Sequence, residues 1–257
     1  MTAAAILAHE TIGEGAQRVI VMGGWLGDRG VFQPIHNWLD REQFTYCFAD
    51  PRGYGGSRAI AGQHTNAEVA ADVIALADSL GWDRFFFVGH SMMGKVAQYL
   101  CAHHSDRLKA AVGVCPVPAC RIDLDEGGYQ LFSTAWEIPA NRGTICMVTT
   151  GNRNTKVWEQ HMIRESLRTT TPEAYRDYFT MWAGEDFAAA VAGCQTPFLA
   201  MTGEYDGGVP TAFVQATIMQ WLPNAELHVM SNAGHYPMHE TPIQFVTVIE
   251  KFMGRFA

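Results

Sequence analysis

Short apolar runs alternate with amphipathic segments along the first half of the chain, and this alternation limits the possible folds more than any other feature of the sequence. The runs are mainly apolar on both faces, as central strands of a parallel sheet are. Four of them lie at residues 18–22, 44–49, 85–88 and 110–115. Helical patterns lie between them, the clearest beginning at a capping box formed by Thr65 and Glu68. The repeated strand–helix–strand order predicts an α/β fold with a mostly parallel central sheet and helices on both faces.

The alternation breaks off in the middle of the chain and resumes later. Residues 118–194 contain no clear strand run, and their apolar side chains recur instead at helical spacing. Two further strand runs follow, at 198–201 and 226–230, and an amphipathic helix ends the chain. A chain of 257 residues is long enough to bury the core of a single α/β domain. We therefore predict a core made of residues 1–117 and 195–257, interrupted by a helical cap of residues 118–194.

The charge balance and the N-terminal sequence exclude several classes of protein. The chain has 18 basic and 26 acidic residues, giving a formal net charge of −8, whereas a general nucleic-acid binder needs a surplus of Lys and Arg. The first ten residues lack the basic region and the long apolar run of a secretory leader. No stretch approaches the roughly 20 apolar residues that span a bilayer. We therefore predict a cytoplasmic protein without nucleic-acid or membrane partners.

The cysteines are predicted to be packing residues. None of the six forms a Cys-x-x-Cys pair, and none lies in a zinc-finger spacing. Several of them, including Cys115, lie within apolar runs, where a thiol usually packs in the core. We therefore expect reduced structural thiols and no bound metal.

The run at 85–88 leads directly into Gly89-His90-Ser91-Met92-Met93-Gly94 and then into a helix. A sharp strand-to-helix turn of this kind exposes the Ser91 side chain and directs the first helical N–H groups toward whatever it attacks. Serine also favours helix N-cap positions, so this stretch alone leaves both roles open. It also partly fits a phosphate-binding loop that ends in Gly94-Lys95, but Val96 stands where that loop needs Ser or Thr.

Residues that follow two later strands favour nucleophilic catalysis. A serine hydroxyl needs a base that takes its proton, and the base needs a third group that orients it. Asp206 follows the run at 198–201, and His235 follows the run at 226–230. Because parallel strands end at one edge of the sheet, both side chains should lie near Ser91. Glu204 and His239 are the rival acid and base, while His90 should point away from the attacking face.

These segments resemble the α/β-hydrolase-fold serine hydrolases, of the small bacterial esterase-like type with a helical cap. The resemblance covers nearly the whole chain, and five segments carry it: 23–25, 50–57, 89–94, 203–206 and 234–240. It implies a Ser91–His235–Asp206 triad and an oxyanion hole formed by the backbone N–H groups of Trp25 and Met92. It also implies that the loop at 50–57 is structural.

The chain departs from the family pattern at two positions. Gly23 stands where the family usually has His before the oxyanion glycine, and Met93 stands where the turn prefers a small residue. Because Met can fill irregular gaps, we expect Met93 to point into the interface between sheet and helix, away from substrate.

The resemblance and the predicted triad together indicate hydrolysis of a small apolar carboxylic ester through an acyl-enzyme, without a metal or organic cofactor. The same triad also serves carbon–carbon bond, lactone or amide hydrolysis and cofactor-free perhydrolysis, and a small-molecule binder without enzymatic activity is a further alternative. We expect the pocket walls to include one or two aromatic residues of the cap, from the set Trp136, Trp158, Tyr178 and Trp182.

Overall fold

A single sheet organises the computed structural model, which describes residues 4–257; Met1–Ala3, part of the N-terminal stretch considered above for a leader, lie outside the described residues. Within those residues seven strands pair in the order β1-β3-β2-β4-β5-β6-β7. Strand β1 is antiparallel to β3, and every other neighbouring pair is parallel. The strands are β1 (His9–Ile12), β2 (Gln17–Met22), β3 (Phe44–Ala49), β4 (Phe85–His90), β5 (Leu108–Val114), β6 (Phe198–Gly203) and β7 (Ala225–Met230).

The apolar runs form the centre of this sheet. Every residue of β3, β4 and β6 is buried, because helices cover both faces of the sheet. All six runs predicted as strands are strands, and the predicted α/β fold class is confirmed.

The helices fall into two groups. Those outside residues 118–194 are α1 (Asn66–Ser79), α2 (Met92–His103), α8 (Thr211–Ala216), α9 (Ile218–Trp221), α10 (Pro237–Glu240) and α11 (Pro242–Met253). Those inside it are α3 (Glu126–Ser133), α4 (Pro139–Thr149), α5 (Lys156–Thr169), α6 (Pro172–Gly184) and α7 (Ala188–Val191). No helix within residues 4–257 is both long enough and apolar enough to cross a membrane.

Residues 118–194, called the helical insertion below, connect β5 to β6. The two ends of the insertion are joined by main-chain hydrogen bonds. The Phe187 N–H donates to the Ala119 carbonyl, and the Ile122 N–H donates to the Ala183 carbonyl, both over 2.9 Å. The insertion therefore closes on itself close to the carboxyl end of β5, and residues 188–197 then run to the amino end of the parallel strand β6.

Candidate active site

Ser91 occupies a strained turn between β4 and α2. Its φ of 55° and ψ of −112° lie in a region that residues with a side chain rarely adopt. The turn is held on both sides, because the Ser91 N–H donates to the Val114 carbonyl over 2.8 Å and the Ser91 carbonyl accepts from Gly94 and Val117. Strain that is held this firmly is typical of functional turns.

Two glycines allow the close approach of chain segments around Ser91. A Cβ atom at Gly89 would lie 2.1 Å from the carbonyl oxygen of Met93, and one at Gly24 would lie 3.0 Å from the Ser91 Cβ. The contact at Gly89 is with the main chain of Met93, so the long Met93 side chain does not obstruct the turn. That side chain is fully buried in the hydrophobic core.

A continuous chain of hydrogen bonds links Ser91, His235 and Asp206. The Ser91 Oγ lies 2.9 Å from His235 Nε2, and His235 Nδ1 lies 2.8 Å from Asp206 Oδ2. The other Asp206 oxygen accepts from the N–H groups of Gly208, over 2.8 Å, and Val209, over 3.0 Å. The structure therefore brings these three predicted site residues together in hydrogen-bonding order.

The surroundings of Asp206 keep its carboxylate ionised. Burial alone raises the pKa of this group, but the adjacent His235 and the two main-chain donors outweigh that effect and lower the pKa below its usual value. An ionised carboxylate that accepts from Nδ1–H leaves Nε2 free to accept the serine proton.

His90 lies behind His235 and supports it. The His90 Nε2 donates to the His235 carbonyl over 2.8 Å, and the centroids of the two rings are 5.0 Å apart. Burial lowers the pKa of His90 to about 3, so its ring is neutral. The His235 N–H in turn donates to the Thr149 carbonyl in the helical insertion over 3.1 Å. Both main-chain groups of His235 are therefore held.

The rival acid and base have other partners. Glu204 is exposed and accepts from the Asn232 N–H over 2.9 Å. His239 Nε2 donates to the Val31 carbonyl over 2.8 Å, and its Nδ1 accepts from the Trp158 indole over 3.2 Å. Burial lowers the pKa of His239 to about 4. Neither rival side chain is placed to exchange a proton with Ser91.

Cys115 lies beside the His–Asp pair, a position that sequence reasoning missed. Its Sγ, an Asp206 oxygen and a His235 ring nitrogen all lie within 4.8 Å of one another, the one such grouping of metal-ligating atoms found within residues 4–257. Burial and the nearby Asp206 carboxylate raise the pKa of the thiol, which therefore stays protonated. Cys115 directly follows β5, the neighbour of β6, and this placement was the available signal.

The two predicted oxyanion donors differ in how they are held. Met92 is the first residue of α2, where a backbone N–H has no acceptor within the helix. Trp25 lies in the turn after β2, and its indole N–H donates to the Tyr175 carbonyl over 2.7 Å. The Trp25 carbonyl accepts from the Tyr54 hydroxyl over 2.8 Å, and the indole stacks on the Tyr175 ring. Contacts from the core and from the insertion thus fix Trp25.

A cavity of about 400 Å³ lies between these turns and the helical insertion, and both Ser91 and His235 line it. Among the described residues that line it there is no Lys or Arg, and Asp125 is the one carboxylate. The apolar side chains of its wall are Trp25, Leu26, Val117, Pro118, Ile122, Leu124, Leu131, Phe132, Ile145, Val148, Trp182, Val209, Phe213 and Tyr236.

Of the four aromatic residues expected at the pocket wall, the structure places only Trp182 there. Tyr178 is fully buried on another side of the insertion, where its ring contacts Tyr54 with centroids 5.3 Å apart. Trp158 packs on Tyr236 from behind, and Trp136 lies partly exposed between α3 and α4. One member of the expected set therefore lines the cavity, and the other three do not.

Comparisons with known proteins agree with this architecture. A family model described as alpha/beta hydrolase fold matches residues 17–144. The chain is similar to a pimeloyl-[acyl-carrier protein] methyl ester esterase of Serratia marcescens, with 25% identity over 259 aligned positions, 96% of this chain and 98% of that one. Among solved structures it is similar to a bromoperoxidase from Bacillus anthracis, with a TM-score of 0.86, 19% identity and coverage of 96% and 94% of the two chains. An enol-lactonase from Burkholderia xenovorans LB400 gives a TM-score of 0.84, 22% identity and 96% coverage of each chain.

Proposed function

Since the chain is an esterase-like hydrolase of the alpha/beta hydrolase fold, we propose that it cleaves carboxylic esters through an acyl-enzyme on Ser91. The observation that carries the proposal is the unbroken hydrogen-bond chain from Ser91 through His235 to Asp206, with its serine end facing an apolar cavity. The name of the Serratia marcescens relative gives a methyl ester as its substrate, which supports ester chemistry here.

In the proposed reaction, Ser91 Oγ attacks the ester carbonyl while His235 Nε2 takes the hydroxyl proton. The tetrahedral intermediate collapses, the acyl–oxygen bond breaks, and His235 returns the proton to the departing alcohol. A water molecule then attacks the acyl-enzyme with His235 again as base, releasing the acid and free Ser91. Asp206 holds the imidazole in the required tautomer and stabilises its charged form.

We propose that the backbone N–H groups of Trp25 and Met92 stabilise the oxyanion. Two fixed N–H donors stabilise the transition state because negative charge develops on the oxygen that they face. Loss of one such donor typically raises the activation free energy by about 3 kcal/mol. The firm anchoring of Trp25 by Tyr54 and Tyr175 supports this assignment, because a preorganised donor need not reorganise during the reaction.

We further propose that the helical insertion acts as a cap and that the substrate is uncharged and apolar. The wall of the cavity is mainly aliphatic and aromatic, which suits an acyl chain of moderate length. A substrate carboxylate would find no cationic partner among the described lining residues and would meet Asp125. A neutral lactone contains the same bond within a ring, and the similarity to an enol-lactonase favours lactones as the second candidate class.

The proposal is tested by comparing the native protein with Ser91→Ala. A fluorophosphonate probe should label the native protein on Ser91, as identified by mass spectrometry of the labelled peptide. In Ser91→Ala, labelling should disappear and hydrolysis of p-nitrophenyl butyrate should fall by about 10⁵-fold or more. The matched control, Ser231→Ala, alters an exposed serine and should retain both properties.

The same assay tests the substrate class. Neutral esters should react faster than esters of equal length that end in a carboxylate. Persistent labelling or hydrolysis in Ser91→Ala would reject the acyl-enzyme, whereas equal rates on both ester sets would reject only the neutral-substrate assignment.

A further inference from the structure

Lys95 is a completely buried lysine on α2, one helical turn after Ser91. Its Nζ donates to three main-chain carbonyl oxygens: Cys120 over 2.8 Å, Trp182 over 3.0 Å and Glu185 over 2.6 Å. A lysine ammonium has three N–H donors. All of them are therefore used within the protein, and none remains for a phosphate group, so the partial phosphate-loop pattern has a structural explanation.

The three carbonyl groups belong to both ends of the helical insertion. Cys120 lies where the chain enters the insertion, and Trp182 and Glu185 lie at the end of α6, where it returns. The last carbonyl groups of a helix lack partners within the helix and carry the negative end of its dipole. An ammonium group is therefore well suited to this position, and a single side chain on α2 reaches both ends of the insertion.

The hydrogen bond from Lys95 to Trp182 connects the buried lysine to the wall of the cavity. The Trp182 carbonyl accepts from Lys95, while its indole lines the cavity and packs edge-on against Trp25, with ring centroids 5.6 Å apart. Because Ser91 immediately precedes α2, the lysine connects the helix of the proposed nucleophile to one wall of the cavity through a single residue.

We propose that Lys95 is a positioning residue, which fastens both ends of the helical insertion to α2 and so holds the Trp182 wall at a fixed distance from Ser91. The structural part of this inference stands on the contacts alone, and its effect on substrate choice rests on the proposed function. Loss of the lysine removes the contacts of Cys120, Trp182 and Glu185 with α2 without removing a group that touches the reacting atoms. Gln98 of α2 still accepts from the Ala119 N–H at the entry to the insertion.

Other contacts keep the insertion attached when the lysine is removed. The main-chain bonds at Phe187 and Ile122 join the two ends to each other, and the Asn66 side chain donates to the Glu185 carboxylate over 2.8 Å. Lys95→Met keeps a long apolar stem and lacks every donor. We therefore expect a folded protein with a loosened insertion rather than a collapsed one.

The first experiment compares Lys95→Met with Leu100→Ala, which removes a fully buried core side chain from the same helix. In Lys95→Met, amide hydrogen exchange at Phe187 and Ile122 should become at least tenfold faster, while exchange in β4 stays unchanged. The ratio of kcat/KM for p-nitrophenyl hexanoate to that for the acetate should fall about tenfold, because the longer chain depends on the wall. Leu100→Ala should keep this ratio within twofold.

Equal changes in the ratio for both variants, or unchanged exchange at Phe187 and Ile122, would overturn the positioning role. The exchange measurement needs no catalysis. If the native protein hydrolyses no ester and Lys95→Met still exchanges faster, the proposed function is contradicted while the role of Lys95 in holding the insertion stands.

If Lys95→Met does not fold, acetylation of the native protein tests the positioning role instead. Lys95 should react only as fast as the amides of Phe187 and Ile122 open, far more slowly than the exposed Lys156. Acetylation of Lys95 while those amides stay protected would refute the proposal.

Discussion

The edge of the sheet and the helical insertion face the same cavity but position their side chains in different ways. At the sheet edge, the strands that lead to Asp206 and His235 are locked in register, with Gly203 opposite Met230, so both turns begin at the same level. In the insertion, helices contribute wall residues whose side chains are positioned mainly by packing, and the Trp182 main chain is also held by Lys95. Strand register therefore positions the proposed catalytic residues, while side-chain packing is the main constraint on the wall, and the two regions should respond differently to substitution.

The largest effect should come from the sheet edge, where Asp206→Asn should lower kcat by about 10⁴-fold. An amide at this position favours the wrong tautomer of His235, although the size of the side chain hardly changes. The measurement is kcat for a p-nitrophenyl ester, with Glu204→Gln as the matched control. The control should stay within twofold of the native enzyme, and an equal loss in both variants would mean that the acid is misassigned.

The comparison is sharpened by Met93, a buried residue two positions after Ser91. Met93→Ala should lower the free energy of unfolding by about 2–5 kcal/mol, because it leaves a void in the core. The preference between acetate and hexanoate esters should not change, since Met93 does not line the cavity. Urea denaturation and relative kcat/KM values test both statements together. A stable variant with altered preference would show that Met93 shapes the pocket.

The smallest effect is expected from the insertion wall. Trp182→Leu should lower the hexanoate-to-acetate ratio of kcat/KM by about three- to tenfold, which corresponds to the loss of contact with one or two methylene groups. Trp136→Leu makes the same change at a side chain outside the cavity and should leave the ratio within twofold. If Trp136→Leu has the larger effect, the wall has been assigned to the wrong part of the insertion.

The contrast between the two regions also explains what the sequence could predict. The proximity of Ser91, Asp206 and His235 was predictable because each follows a buried strand closely, and parallel strands end at a common edge. Cys115 ends such a run as well and is buried in the core as expected. Its position beside Asp206 and His235 is not predicted, because an apolar run marks a strand without showing what lies beyond its last residue. The antiparallel β1 was missed, since its four residues show half-exposed, mixed polarity.

The wall could not be predicted in the same way. Tyr178 and Trp182 are four residues apart on α6 and share one helical face by spacing, yet one contacts Tyr54 and the other lines the cavity. Which part of an aromatic face meets the core and which part meets the cavity depends on how the helix crosses the sheet edge. In this structure the end of that helix contacts residues far away in the sequence, including Lys95 and Trp25.

The joined ends of the helical insertion have a consequence for the order of folding. Strands β5 and β6 are neighbours in the sheet, but the chain between them runs from residue 115 to residue 197. Closing a loop costs entropy that grows with the logarithm of its length. Once Phe187 has bonded to Ala119, the free chain consists only of residues 115–119 and 187–197, roughly fivefold shorter, which saves about 1.5 kcal/mol. An insertion that closes early therefore speeds completion of the sheet, and one that closes late delays it.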